Sequence, residues 1–266
     1  WLVFAALLFE LGLRPGLADF RRQCYGVGVL SLLALAVVNV AGIDGRPAWL
    51  PQALSTALLA GGAVRLYRLR ERAELFNIVT GAGAVMAATL TWNVLPAPVV
   101  ALAWAGLALG LAELGCRLEL PVLRMEAYLM NAAACGRLFL ANFTGTGSTG
   151  FVSHRLLTVG PVIGLQYFLR DRIRQISTGD ARMGRALLYS GAVLAAVLLR
   201  FELGHVMVVD GWAVMGVLLV WLGVRFDNPD FRLQSYALAL GSFWRAWSTN
   251  FYAPELMIGV PARVVT

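Results

Sequence analysis

Four ionisable residues stand where an otherwise apolar chain can use them for chemistry: Glu113, Glu126, Arg137 and Arg245. Two carboxylates at one depth in a membrane can share a proton or accept a cation, and a sunken guanidinium can hold an anionic head group. Glu113 and Glu126 flank one turn at similar depth, as such a pair requires. A plainer role competes with this one. Glu113 stands four residues before Arg117 and Glu10 four before Arg14, the spacing of a helical ion pair. Arg137 and Arg245 each precede an asparagine, Asn142 or Asn250, by five residues, about 7–8 Å of helix. From that depth a side chain can snorkel to the helix end, or hold an anionic head group or polyprenyl phosphate there.

Other chemistry is thinly supported. Glu202, His205 and Asp210 share one loop, but no second histidine or cysteine stands at ligand spacing, and His154 is isolated. Cys24, Cys116 and Cys135 fall in or beside apolar segments, where cysteine behaves as a small hydrophobe. The phosphate-loop, nucleophile-elbow and zinc-helix motifs are missing, and no loop is long enough to fold as a catalytic domain. No catalytic residue, cofactor or metal site is assigned. A non-enzymatic role is favoured over a membrane-embedded transferase.

The elements that position these residues repeat. The pattern W-x10-G-x-R-x6-R-x3-Y-x13-N runs ungapped through Trp1, Gly12, Arg14, Arg21, Tyr25 and Asn39. It recurs 103 positions on as Trp104, Gly115, Arg117, Arg124, Tyr128 and Asn142, and 108 further as Trp212, Gly223, Arg225, Arg232, Tyr236 and Asn250. Glu113 has Trp221 as its later counterpart, Glu126 has Gln234, and Arg137 has Ala34 in the first copy. The array therefore does not demand these charges in every copy. A fixed period of this kind predicts tandem structural units. Three are expected: residues 1–97, 98–204 and a partial 205–266, each built of two helical hairpins.

About ten transmembrane helices follow from the apolar runs: Trp1–Leu13, Arg21–Asn39, Ala53–Leu69, Leu75–Trp92, Pro98–Cys116, Val122–Ala141, Leu156–Leu169, Met183–Phe201, Val206–Val224 and Phe231–Thr249. A loop insertion is expected around Ile176–Arg182. Gly-x-Arg reads as a permissive helix cap followed by a cation at the negative dipole end, and Pro121 and Pro229 as helix starts. Trp104 and Trp212 read as members of an interfacial aromatic belt. Gly106 and Gly110 fit close helix packing. The chain opens at Trp1 within a helix and ends at Thr266 as another hairpin begins, so a longer parent is expected.

Composition agrees with an all-α polytopic membrane protein: 59% of residues are hydrophobic and 14% charged, against about 25% charged in soluble domains. The net charge of +7 comes from 22 arginines and no lysine. Sixteen arginines fall in turns on one side, and only Arg46, Arg155, Arg200 and Arg263 in loops on the other. This is the positive-inside pattern, so the arginine-rich turns are expected in the cytoplasm and Asn39, Asn142 and Asn250 at the exterior. Nucleic acid is not an expected partner. Four helices per unit, an even number, make the repeats parallel.

The runs Ala103–Leu109, Leu114–Arg117 with Leu123-Arg124, and Trp212–Arg225 with Phe231–Tyr236 resemble the bacterial family of predicted membrane proteins called domain of unknown function 2339. The resemblance implies a long array of transmembrane helices in a bacterial inner membrane and carries no activity or catalytic residue. The expected role is a multipass envelope protein that binds membrane lipids or scaffolds other envelope proteins. The competing role is a transporter or lipid flippase lined by Arg137, Arg245, Glu113 and Glu126.

Overall fold

The computed structural model describes residues 1–14, 17–35, 37, 49–69, 73–145, 147–149, 152–173, 176, 178–251, 256–257 and 260–261. Of the residues singled out above, Asn39, Arg46 and Arg263 lie outside these. Among the described residues are ten α-helices: α1 (Leu2–Gly12), α2 (Ala18–Leu35), α3 (Trp49–Leu69), α4 (Ala73–Val94), α5 (Ala97–Arg117), α6 (Pro121–Arg137), α7 (His154–Ile173), α8 (Thr178–Glu202), α9 (Val208–Arg225) and α10 (Pro229–Arg245). The architecture is all-α, and α4, α5, α8 and α9 are long and apolar enough to cross a membrane. Val85, Leu114, Val193 and Val217 on these helices are half or more exposed. Water would make such faces aggregate, whereas hydrocarbon matches them.

The chain divides into two compact units, Trp1–Ala133 and Ala134–Thr266. The expected seams at 97/98 and 204/205 are not where it divides. The first seam is stitched by the Trp104 indole, whose N–H donates to Ala88 O of α4 at 3.1 Å and Thr91 Oγ1 at 3.0 Å. At the second, Trp212 donates to Ala196 O of α8 at 2.9 Å. These two tryptophans are therefore helix-to-helix staples, which tie the second and third copies of the pattern to the helix before them. The sequence period marks where the pattern restarts, while compactness follows packing.

In the first unit, α5 buries a stripe of small residues, Ala101, Ala105, Ala108, Ala112 and Gly115. Their spacing of three and four keeps them on one helix face, where small side chains let backbones approach. Gly106 and Gly110 are not part of it; a Cβ on either would meet nothing within 4 Å. In the second unit, Leu188 of α8, Leu219 of α9 and Phe231 of α10 form a core with Tyr167 of α7 packed against it. Tyr167 stacks on Phe231 at 6.4 Å, and the Arg170 guanidinium lies 5.6 Å from the same ring. The expected insertion near Ile176 is helical from Thr178 onward, absorbed by a longer α8.

The glycines of the pattern are not caps. Gly115 and Gly223 lie inside α5 and α9, two residues before the last. The caps come later, at Leu118 and Phe226, and the residues after them, Glu119 (φ 56°) and Asp227 (φ 44°), take the left-handed region. There the N–H groups of Leu120 and Asn228 return to Gly115 O and Gly223 O, each at 3.0 Å, satisfying carbonyls the helix end would orphan. The glycines serve the following arginine instead. A Cβ at Gly115 would lie 2.8 Å from Arg124 Cγ and 2.9 Å from its backbone nitrogen, and at Gly223 2.7 and 3.1 Å from the same atoms of Arg232. In the first copy a Cβ on Gly12 would sit 2.7 Å from the Arg21 nitrogen. The guanidinium then turns back, with Arg124 Nη1 donating to Gly115 O and Arg232 Nε to Gly223 O, both at 3.3 Å. Pro121 and Pro229 open the return helices as expected, and Asn228 caps α10 by accepting from Asp230 N at 3.0 Å. The tyrosines have no common role: Tyr128 is buried and Tyr236 exposed.

Candidate functional site

Helices α6 and α10 do not end at Arg137 and Arg245 but run on into π turns, Leu138–Asn142 and Ala246–Asn250. In each a bond spans five residues, Phe143 N to Leu138 O at 3.0 Å and Phe251 N to Ala246 O at 2.9 Å. After each comes a two-residue antiparallel ladder, Ser148–Thr149 (β1) with Val152–Ser153 (β2) and Leu256–Met257 (β3) with Val260–Pro261 (β4). Every one of these features recurs after 108 positions, counting Leu138 to Ala246 and Ser148 to Leu256. Arg137 and Arg245 thus occupy the same place, the last α-helical residue before a widened turn, where π turns often accompany function.

Around Arg245 the second unit gathers cations. Its Nη2 donates to His205 O at 3.0 Å, in the turn between α8 and α9. Its Nε is buried and has no hydrogen-bond partner among the described residues. Arg200 is near enough for its charge to act on Arg245. Arg155, at the start of α7, donates to Gly145 O at 2.7 Å and Phe201 O at 3.0 Å, with its Cζ 5.2 Å from the Phe201 ring. That ring stacks on Phe143 at 5.5 Å. A guanidinium carries five N–H donors, and bonding to carbonyl oxygens leaves its charge uncompensated. Arg155 and Arg245 are thus positioned by neutral groups. Glu202, two residues after Arg200, accepts from Ser153 Oγ.

The carboxylates found other partners. Glu113 bonds Arg117 at 2.9 Å, the local ion pair its spacing predicts. Glu10 does not use Arg14; Arg65 of α3 reaches it with two bonds, Nε to Oε1 at 2.8 Å and Nη2 to Oε2 at 3.1 Å. The planar fork of arginine fits a carboxylate at both oxygens, so a well-placed distant arginine outcompetes an adjacent one. Glu126 accepts from Thr80 Oγ1 of α4 at 2.7 Å. Glu113 and Glu126 are thus bound to different groups, one to a cation and one to a hydroxyl. No three His, Cys, Asp or Glu side chains among the described residues are grouped to hold a metal ion, and the three cysteines are free thiols.

Sequence reasoning missed the π turns, the ladders, the Trp staples and the glycine–arginine clasp. Only the last two had a signal, the recurrence of Trp, Gly and Arg at fixed spacing. No family model, no curated protein and no solved structure matches the chain.

Proposed function

We propose that this chain is a non-enzymatic multipass protein of a bacterial inner membrane, a tandem array that binds anionic lipid and scaffolds other envelope proteins. The arginine-rich turns face the cytoplasm, and Arg155, Arg200 and Arg245 meet head groups of the outer leaflet. The observation that carries the reading is the setting of Arg245, with a buried unpartnered Nε, one bond to a backbone carbonyl and a second cation nearby. Two guanidinium groups whose charges act on one another favour an anion between them, and a phosphodiester supplies acceptor oxygens for both. The resemblance to domain of unknown function 2339 fits the same picture of a long apolar array.

Two measurements test it. The protein taken from native membranes in lipid particles is expected to carry a stoichiometric anionic lipid by mass spectrometry. The double substitution Arg137→Ala and Arg245→Ala should strip that lipid while leaving the bulk lipid unchanged. Equal occupancy in both proteins would sink the assignment. Sidedness is checked separately, since a single cysteine placed at Thr144, exposed two residues beyond the buried Asn142, should react with an impermeant thiol reagent added outside intact cells. Labelling only after the membrane is opened would reverse the orientation.

A further inference from the structure

Glu126 has a bonding pattern that an ionised carboxylate does not explain. It lies five residues into α6 from Pro121, about 8 Å from the arginine-rich turn. Its Oε1 is 2.7 Å from Thr80 Oγ1, and its Oε2 is buried with no hydrogen-bond partner among the described residues. Thr80 Oγ1 also lies 3.1 Å from the backbone carbonyl of Asn77. A hydroxyl has one proton to donate. If Thr80 gives it to Glu126, a half-buried anion rests on a single bond with a bare, buried second oxygen. Charged groups left so poorly compensated are expensive in hydrocarbon.

The neutral acid fits the same atoms better. A proton on Oε1 is donated to Thr80 Oγ1, which donates onward to Asn77 O, and Oε2 becomes a neutral carbonyl oxygen, whose missing partner costs less than that of a charged one. The groups facing Glu126 agree. The neighbouring Arg117 is bonded to Glu113, and Arg124 to Gly115 O. A metal ion is a poorer occupant, because hard cations gather six or more oxygens and this site offers a carboxyl and one hydroxyl.

We propose that Glu126 is an intramembrane proton-binding site, held as the neutral acid by a Glu126–Thr80–Asn77 hydrogen-bond chain and exchanging its proton with water at the arginine-rich end. On release the O–H bond of Glu126 breaks, the proton passes to water, and the Thr80 hydroxyl rotates from Asn77 O to Oε1. The site is independent of the lipid reading and has no counterpart in the copy that follows. The later copy places Gln234 and Leu188 at the equivalent positions, 108 residues on, and neither can exchange a proton.

Infrared spectroscopy of the whole protein in lipid particles tests this. At neutral pH the wild type should show the C=O band of one protonated carboxyl per chain, lost completely in Glu126→Gln. That variant is expected to fold, since glutamine already occupies the equivalent place at position 234. Thr80→Val should keep the band and shift it to higher frequency, because the acid then loses its acceptor. Identical wild-type and Glu126→Gln spectra in this region overturn the proposal. An unmoved band in Thr80→Val overturns the hydrogen-bond chain.

Discussion

Adding one methyl group at Gly223 is expected to destabilise the α9–α10 hairpin by about 1–3 kcal/mol, the usual cost of forcing extra volume into a packed site. The new Cβ would lie 2.7 Å from Arg232 Cγ and 3.1 Å from its backbone nitrogen. The side chain can swing aside, but only by giving up its bond to Gly223 O, and the backbone nitrogen cannot move without the helix. Against this stands the intrinsic gain of alanine over glycine within a helix, about 0.5–1 kcal/mol. The clash should win. Gly115→Ala should behave alike, since its Cβ would approach Arg124 as closely. Gly106→Ala and Gly110→Ala are the controls; with nothing within 4 Å they keep only the gain and should stabilise. Denaturant titration in mixed micelles ranks all four. If Gly223→Ala proved as stable as Gly106→Ala, the glycine–arginine clasp would have no energetic weight.

The second large effect is expected at the tryptophans. Trp212→Phe removes the donor to Ala196 O while keeping most of the ring, so the loss should be that of one interhelical hydrogen bond, about 0.6 kcal/mol and at most about 1.7 in a membrane. Trp212→Ala also empties the ring's place, and about 2–3 kcal/mol is expected, below the range for a fully buried ring because this one is part-buried. Trp104 should matter more. Its N–H lies within bonding distance of two acceptors, Ala88 O and Thr91 Oγ1, and its ring stacks on Trp92 at 5.7 Å. Unfolding titrations of the two Ala variants should therefore rank Trp104 above Trp212. The reverse order would show that the stacked pair adds nothing.

Helix extents were legible because apolar runs of membrane length leave little choice, and Pro121 and Pro229 mark where the return helices start. What failed was inference about partners. Glu10 had an arginine four residues away and took one 55 residues away, since local spacing says who can meet but not who fits better. Gly115 looked like a cap because glycine tolerates the left-handed region, yet that conformation fell to Glu119 and Asp227. The ladders were invisible for another reason. Ser148–Ser153 and Leu256–Pro261 pair in the same register with almost no residue in common, so backbone geometry rather than side-chain pattern sets them. Arg137 and Arg245 were legible as unusual, but the carbonyl on Arg245 and the nearby Arg200 required the fold.

The clasp and the staple also have a bearing on how the chain is made. The arginine–glycine bond closes a loop of nine residues and the tryptophan bond one of sixteen, whereas the Glu10–Arg65 and Thr80–Glu126 bonds reach across 55 and 46. Loop closure costs least when the ends are near in sequence, and chains rich in such contacts find them fastest. The α5–α6 and α9–α10 hairpins can thus lock as they leave the ribosome, each fastening to the helix before it. An array assembled in this way grows by addition at one end, so copies can be gained or lost in evolution without re-solving the folding of those already in place.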